Sequence, residues 1–401
     1  MKNKIVKNCN FCNSKDLSEI FPMPKFPLTG IYLSSNKVKL KNYDNSFLIC
    51  NVCNHGQLKK QINPKILYDN TYTHRTSKSP MATQTNNDFY QNLLSIIKKK
   101  KFKNILEIGC NDLFLTKKIQ KYCSNNVVGI DPIWGKKVKK IGKKITIFGG
   151  FIDNEPDLRK IENFVKKNDI KFDLVISSHT FEHVGNFSKS LENILNITSR
   201  DALFVIETPS LDSIIRLKRY DQIFHQHLHY PTEKSILYLI HKLKCSLVKL
   251  HYNYRIWGGN ITFAFKKNQI VKKTAINKKK YSVKLLKKDF KLFKKNLVDK
   301  INIIKKNYNL QKVVGFGAAQ MLPIIAYHTK DNLNFLNCIY DDNQSRQNKY
   351  LPSIKPQIKR IDNKKISESF ILITALDSSI QILKRLSNFK PKLIFNLIDT
   401  F

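Results

Sequence analysis

The stretch from Asn104 to Asp131 leaves a chain of this kind few choices of fold. Asn104-Ile105-Leu106-Glu107-Ile108 has the length and apolar continuity of a buried strand, and it runs straight into Gly109-Cys110-Asn111-Asp112. Leu115, Ile119 and Tyr122 then recur on one side of a helix. A second strand, Val127-Val128-Gly129-Ile130, ends at Asp131-Pro132, 24 residues after Glu107. Strand, glycine turn, helix, strand and terminal acid in that order open a doubly wound α/β sheet. Gly109 lets the backbone come close to a ligand, and Asp131 is placed to bind ribose hydroxyls.

The flanking segments continue the pattern. Upstream, Phe89, Leu93, Leu94 and Ile97 recur at helical spacing before the solvated run Lys98 to Lys101. Downstream, Asp173 to Ser177 reads as a further strand with Ser178 to Val184 (SHTFEHV) at its carboxyl end, followed by a helix around Leu191 to Ile197 and a strand from Ala202 to Ile206. Ligands of open α/β sheets sit at the carboxyl ends of strands, where these polar residues fall. One glycine in the turn does not make a dinucleotide-binding GxGxxG. The E-x-G-x-N-D form with a later G-I-D-P instead resembles the S-adenosylmethionine site of class I methyltransferases. That resemblance makes Glu107, Gly109, Asn111, Asp112, Asp131, Pro132 and Ser178 the expected cofactor residues.

At the amino terminus, Cys9-Asn10-Phe11-Cys12 and Cys50-Asn51-Val52-Cys53 form two CxxC pairs. Each can aim two thiolates at one point, and two such turns make a closed tetrahedral zinc site with no open position for catalysis. His55, close by, reads as a bystander. Pro22, Pro24, Pro27 and Gly30 mark irregular structure between the pairs, and Tyr68 to Pro80 reads as a polar, aromatic loop of the sort that faces a ligand.

Three histidines, His225, His227 and His229, crowd into the segment YDQIFHQHLHY. As a strand, alternation would put all three on one face and suit metal ligation. As a loop, one could act as a base while the others hold it. A polar loop without chemistry is the third reading.

Composition adds limits. Lys and Arg number 71 against 30 Asp and Glu, a formal charge of +41. Abundant Asn and Ile beside the Lys point to drift under AT-biased coding rather than to an anionic partner, so nucleic acid is not the expected partner. The lysine-dense run Lys266 to Lys306, with Tyr281, Leu285, Leu286, Phe290, Phe293 and Leu297 at near-helical spacing, reads as a long amphipathic helix with a solvated cationic face. No apolar run is long enough to span a membrane, and the start lacks the apolar segment of a signal peptide. Eight cysteines without an export signal fit a reducing cytoplasm. After the helix, Lys312 to Val314, a Gly315–Gly317 turn, a helix and Cys338 to Tyr340 with Asp341 read as a second βαβ start, either a nucleotide site or a scaffold.

Four features occur in order: the CxxC pairs, EIGCND with GIDP, FHQHLHY, and Trp257-Gly258-Gly259-Asn260. Together they resemble the three-domain sugar C-methyltransferases, which methylate C3 of nucleotide-linked 4-keto-deoxysugars. Val314-Gly315-Phe316-Gly317-Ala318-Ala319 and Tyr340-Asp341-Asp342-Asn343 through Tyr350-Leu351-Pro352 resemble later family segments. The resemblance implies a zinc-binding domain with its linker at 1–82, a methyltransferase domain at 83–255 and a Rossmann-like domain at 256–401. It implies His227 as the base that forms an enolate, His183 (His179 as the lesser choice) as the group assisting it, and His225 as an orienting neighbour. His229 is expected to face into the structure. Tyr72, Phe224, Gln226, Tyr230, Gly258, Gly259 and Asn260 become the expected sugar contacts, in a monomer or homodimer serving surface-polysaccharide or branched-sugar synthesis. The chain departs from the family pattern at Phe224 and Gln226, where the family has Tyr and Glu, at Leu113 in place of a glycine, and at Asn260 in place of a serine. These departures read as a change of substrate or of attacked position. The alternatives are a sugar O- or N-methyltransferase and, further off, an RNA methyltransferase.

Overall fold

A computed structural model describes residues 3–67, 75–267 and 280–398; Tyr72 lies outside them. Near the amino terminus, β1 (Leu17–Phe26), β2 (Tyr43–Cys50) and β3 (Gly56–Leu58) form an antiparallel meander. The central domain opens with helix α1 (Pro80–Ile97), started by Ser79, whose side chain accepts from the Ala82 amide, and by Pro80 in the first turn. It buries Phe89, Leu93 and Ile97.

Next come β4 (Phe102–Ile108), helix α2 (Phe114–Ile119), β5 (Cys123–Ile130), β6 (Val138–Ile141), β7 (Ile145–Phe148), β8 (Phe172–Ser178) and β9 (Thr198–Pro209). A two-residue strand β10 (His229–Tyr230) leaves for the amino-terminal sheet, and β11 (Cys245–Asn253) and β12 (Asn260–Lys267) close the domain. Among the described residues the central sheet runs β11-β12-β9-β8-β4-β5-β7-β6. The strands from β9 to β7 are parallel, while β12 is antiparallel to both its neighbours. This is the class I methyltransferase sheet. Its parallel strands are buried on both faces, which is why they read as unbroken apolar runs.

Two domain limits move. β12 lies between β9 and β11, so the central domain extends through Lys267 rather than ending at 255, and Gly258, Gly259 and Asn260 belong to it. The amino-terminal sheet is not self-contained either, because β10 is its fourth strand, with His229 opposite Gln57 and Tyr230 opposite Gly56.

Helix α3 (Val283–Asn307) is capped by Ser282 and buries Leu286, Phe290, Phe293, Leu297, Ile301 and Ile304. Leu285, assigned to the apolar side by spacing, is 61% exposed. Beyond it a parallel sheet, β15-β14-β13-β16-β17, takes β13 (Val313–Phe316), β14 (Ile339–Tyr340), β15 (Ile358–Lys359), β16 (Phe370–Ile373) and β17 (Leu393–Asn396), a Rossmann-like arrangement. Its glycine turn is already closed. The Asp341 carboxylate accepts from the Ala318 amide at 2.7 Å, and the Tyr32 hydroxyl donates to the Ala318 carbonyl at 2.9 Å. One apolar core joins the amino-terminal sheet, α3 and the carboxy-terminal sheet, with Phe21 stacked on Phe290 at 3.7 Å.

Candidate active site and zinc centre

Cys9, Cys12, Cys50 and Cys53 converge, with the Cys9–Cys53 and Cys12–Cys50 sulfurs each 3.5 Å apart. Tetrahedral zinc at a Zn–S distance of about 2.3 Å sets its sulfurs about 3.8 Å apart, so the donor set fits the ion. Each CxxC turn is finished by an asparagine in the left-handed region, Asn13 and Asn54, both at φ 64°. Both chelating turns thus share one backbone solution, legible as Cys-x-x-Cys-Asn. His55 is more than a bystander. It stacks on Phe11 at 3.8 Å and meets His229 at 3.2 Å, joining the zinc knuckle to the segment that carries the histidines.

At the head of β4 the cofactor turn passes through left-handed backbone at Gly109 (φ 78°), Asn111 (φ 40°) and Leu113 (φ 69°). A Cβ on Gly109 would lie 1.8 Å from Thr180 Oγ1, so only glycine fits. The Asp131 carboxylate accepts from the Asn111 and Ile133 amides, both at 2.9 Å, lacing the two strand ends together. Residues ahead of α1 cover the turn: the Thr76 amide donates to Asn111 and the Ser77 amide to Asp112. One oxygen of Asp112 is buried with no partner, as an acceptor awaiting a ligand would be. Glu107 is buried behind the turn, held by the Thr116 hydroxyl, and burial, aided by Asp131 and Asp112, pushes it up to about 8. Pro132 starts a short 3-10 turn, and Ser178 donates to Glu207 at 3.4 Å. An adenosyl ligand carrying ribose and an amino acid fits this mix of open backbone and buried carboxylates.

The histidines separate by their partners. His225 is buried, its Nδ1 accepting from Asn45 and its Nε2 donating to the Phe26 carbonyl, both at 3.2 Å. With both nitrogens used by the amino-terminal module, it has no face to offer a substrate and leaves the catalytic set. His229 is tied to the Val184 carbonyl and to His55, as expected of a residue facing inward. Among the described residues His227 has no hydrogen bond to either ring nitrogen, and its Nδ1 is buried. It stands 4.9 Å from the His183 ring and packs on Phe224 at 4.0 Å. Burial, then the neighbouring His183 and His179, holds it well below the ordinary histidine value, so the free base is the stable form.

Three hydrogen bonds lace this loop to the segment after β8. The Leu228 amide donates to the Glu182 carbonyl at 2.6 Å, His183 Nδ1 to the Gln226 carbonyl at 2.8 Å, and His229 Nε2 to the Val184 carbonyl at 2.8 Å. Two expected sugar contacts turn elsewhere. Gln226 bonds Thr29 through both ends of its amide, and the Tyr230 hydroxyl is buried between the Phe224 amide and the Gln222 carbonyl.

Four residues outside the main expectation, His179, Glu182, Glu207 and Trp257, gather beside these histidines. His179, in left-handed backbone at φ 50°, lies 3.1 Å from Glu182 and, without hydrogen-bond alignment, 3.4 Å from Glu207. Burial works against its charge, but the two carboxylates outweigh it and push His179 up to about 9. Trp257 packs edge-on against it at 4.6 Å. Glu182 and Glu207 were visible only as carboxylates among apolar neighbours, in FEHV and in FVIETP. The Trp257-Gly258-Gly259 turn has three successive positive φ values, 50°, 69° and 94°, and a Cβ on Gly259 would come within 2.3 Å of Ser213. Asn260 follows with its amide fully buried and both ends unpartnered. Strand alternation sets it on the face of Thr262, whose hydroxyl donates to Glu207.

Residues 81–250 match the family described as a methyltransferase domain, and residues 9–68 match one described as a zinc binding domain. Over 88 residues the chain is 27% identical to the C-methyltransferase NovU of Streptomyces niveus, a match spanning 22% of this chain and 21% of that protein. Among solved structures, the N-methyltransferase NodS of Bradyrhizobium japonicum WM9 aligns at 14% identity and TM-score 0.33, covering 48% of this chain and 99% of its own. The 1,6-didemethyltoxoflavin-N1-methyltransferase of Burkholderia thailandensis aligns at 12% identity and TM-score 0.34, covering 46% and 78%.

Proposed function

We propose that the chain, an S-adenosylmethionine-dependent methyltransferase with a four-cysteine zinc-binding module, methylates a carbon of a nucleotide-linked keto-deoxysugar with His227 as the base. The observation that carries this reading is the sorting of the clustered histidines: His225 and His229 spend both nitrogens on the scaffold, whereas His227 has neither engaged. A general base must be unprotonated and within reach of the proton it takes, and His227 is kept neutral beside the carboxyl ends of the strands. The partial match to a C-methyltransferase supports carbon as the acceptor.

A ketone acidifies the hydrogen on the adjacent carbon, and His227 Nε2 takes that proton as the electron pair moves to the ketone oxygen. Glu107, Asn111, Asp112 and Asp131, on the turn after β4, would hold S-adenosylmethionine, which would supply an electrophilic methyl to the carbon nucleophile, the S–CH3 bonding pair staying on sulfur as S-adenosylhomocysteine. His183, fixed through Nδ1 to the Gln226 carbonyl with its ring 4.9 Å from that of His227, is the group that steadies the enolate oxygen in this reading. Asn260 offers a donor and an acceptor already stripped of water to the sugar. Phe224 and Trp257 keep the carbanion dry. A cytoplasmic compartment, where nucleotide sugars are made, fits this role.

The test supplies methyl-labelled S-adenosylmethionine with a panel of nucleotide-linked 4-keto-deoxysugars and locates the label by NMR. Label on a ring carbon supports the reading; label only on oxygen or nitrogen replaces it with hydroxyl or amine methylation at the same base.

A further inference from the structure

The resemblance puts a glutamate beside the first histidine of the loop, where this chain has Gln226 turned away to Thr29. A lone imidazole base without a carboxylate partner is poorly oriented and weak. The missing carboxylate has a substitute on a different segment. Glu182 is fully buried, and while one of its oxygens meets His179, the other, Oε2, has no partner. Buried carboxylate oxygens are rarely left unpaired. His227 Nδ1 is likewise buried and unpaired, and Glu182, His183 and His227 each bring a polar side-chain atom within 4.8 Å of the others. The Leu228 amide to Glu182 carbonyl bond at 2.6 Å holds the two backbones in register at this spot.

We infer that Glu182 is the positioning carboxylate of His227: it accepts a hydrogen bond from Nδ1–H, selects the tautomer with the Nε2 lone pair toward the substrate, and stabilises the imidazolium formed on proton abstraction. Among the described residues, the charged and titratable groups facing His227 are His179, Glu182 and His183 from the segment after β8 and Tyr230 from its own loop. His179 is already shared between Glu182 and Glu207, which leaves Oε2 as the carboxylate oxygen without an assigned contact at this spot. As an argument about a base it rests on the carbon-methylation reading; its contact does not.

The test compares the wild type with Glu182→Gln and Glu207→Gln, the second breaking the other carboxylate contact of His179. Nitrogen NMR of histidine-labelled full-length protein without substrate is expected to show His227 as the Nδ1–H tautomer in the wild type and to lose that preference in Glu182→Gln alone. With substrate, the acid limb of the pH profile for methyl transfer should move down by about one unit in Glu182→Gln, since loss of a neighbouring negative charge lowers a histidine pKa. The plateau should fall about tenfold or more as the base weakens. An Nε2–H tautomer in the wild type, or the same tautomer and pH changes in Glu207→Gln, would overturn the assignment. Because the tautomer is read without turnover, an enzyme that proves to methylate only hydroxyls would sink the carbon reading and leave the dyad standing.

Discussion

The three histidines of one short segment serve three ends, and hydrogen-bond partners decide which. His225 pins the loop to the amino-terminal sheet through Asn45 and Phe26, His229 joins the zinc knuckle through His55, and His227 keeps both ring nitrogens unengaged, as the proposed base requires. Replacing His225 by Asn should therefore lower stability by about 2 kcal/mol, read as a fall in the urea midpoint, for two buried hydrogen bonds lost or weakened. It should also leave the acid limb of the methylation pH profile in place, whereas a catalytic His225 would shift it. The buried neutral histidines also set the acid response. Burial lowers His225 and His229 to about 4 each, while the unfolded chain titrates near the ordinary value of about 6.5. Below that value the unfolded state binds more protons, so stability is fully present above pH 6.5 and drains away toward pH 4. Thermal melts across that window should show a steady fall in Tm, and a flat profile would mean these rings are exposed to water.

At the scale of elements, the zinc module is joined by strand pairing to the loop that carries the proposed base. The Cys50–Cys53 knuckle shapes the hairpin whose β3 pairs with β10, and β10 follows His227 by a single residue, Leu228. Chelation of the metal, or Cys12→Ser, should lower the melting temperature and reduce methyl transfer together, with activity returning when zinc is restored. Activity that survives metal loss intact would separate the module from the loop. Much of this level was legible in sequence. The cofactor turn, the strands flanking it and the four thiolates follow from local signals, since glycine, an apolar run and a CxxC turn each fix their own geometry. Pairing of β10 with β3 and the insertion of β12 between β9 and β11 were not legible, because both join segments far apart in sequence whose register is set by tertiary packing. The same limit hid Glu182 and Glu207, whose role depends on what faces them rather than on their neighbours in the chain. Gln226 shows the converse: the family resemblance gives it a place among the sugar contacts, but its amide is spent on Thr29.

At the scale of the molecule, a buried clasp ties the carboxy-terminal sheet to the segment that leads into the histidine loop. Arg219 makes a two-pronged pair with Asp221 at 2.8 Å and 2.8 Å and reaches Asp377, beyond β16, at 2.7 Å. Arg219 and Gln222 also press on Gly258, where a Cβ would lie 2.6 Å from Gln222. The clasp therefore couples the position of the carboxy-terminal domain to the Trp257-Gly258-Gly259 turn. Asp377→Asn should cost about 2–3 kcal/mol for a weakened charged hydrogen bond, and hydrogen exchange should rise at residues 256–260; exchange confined to residues around 377 would show the clasp to be local. The fold thus braces one loop from two sides, by zinc through β10 and by the carboxy-terminal domain through Arg219.

Whether His227 is the base of a carbon methylation is read most directly from exchange at carbon. In D2O, with the accepted 4-keto-sugar and without S-adenosylmethionine, the wild type should place deuterium on the carbon beside the ketone. His227→Ala should slow that uptake by about a hundredfold or more, the usual contribution of a general base. Methyl transfer to the sugar with no enzyme-dependent deuterium on that carbon, or uptake unchanged in His227→Ala, would contradict the account.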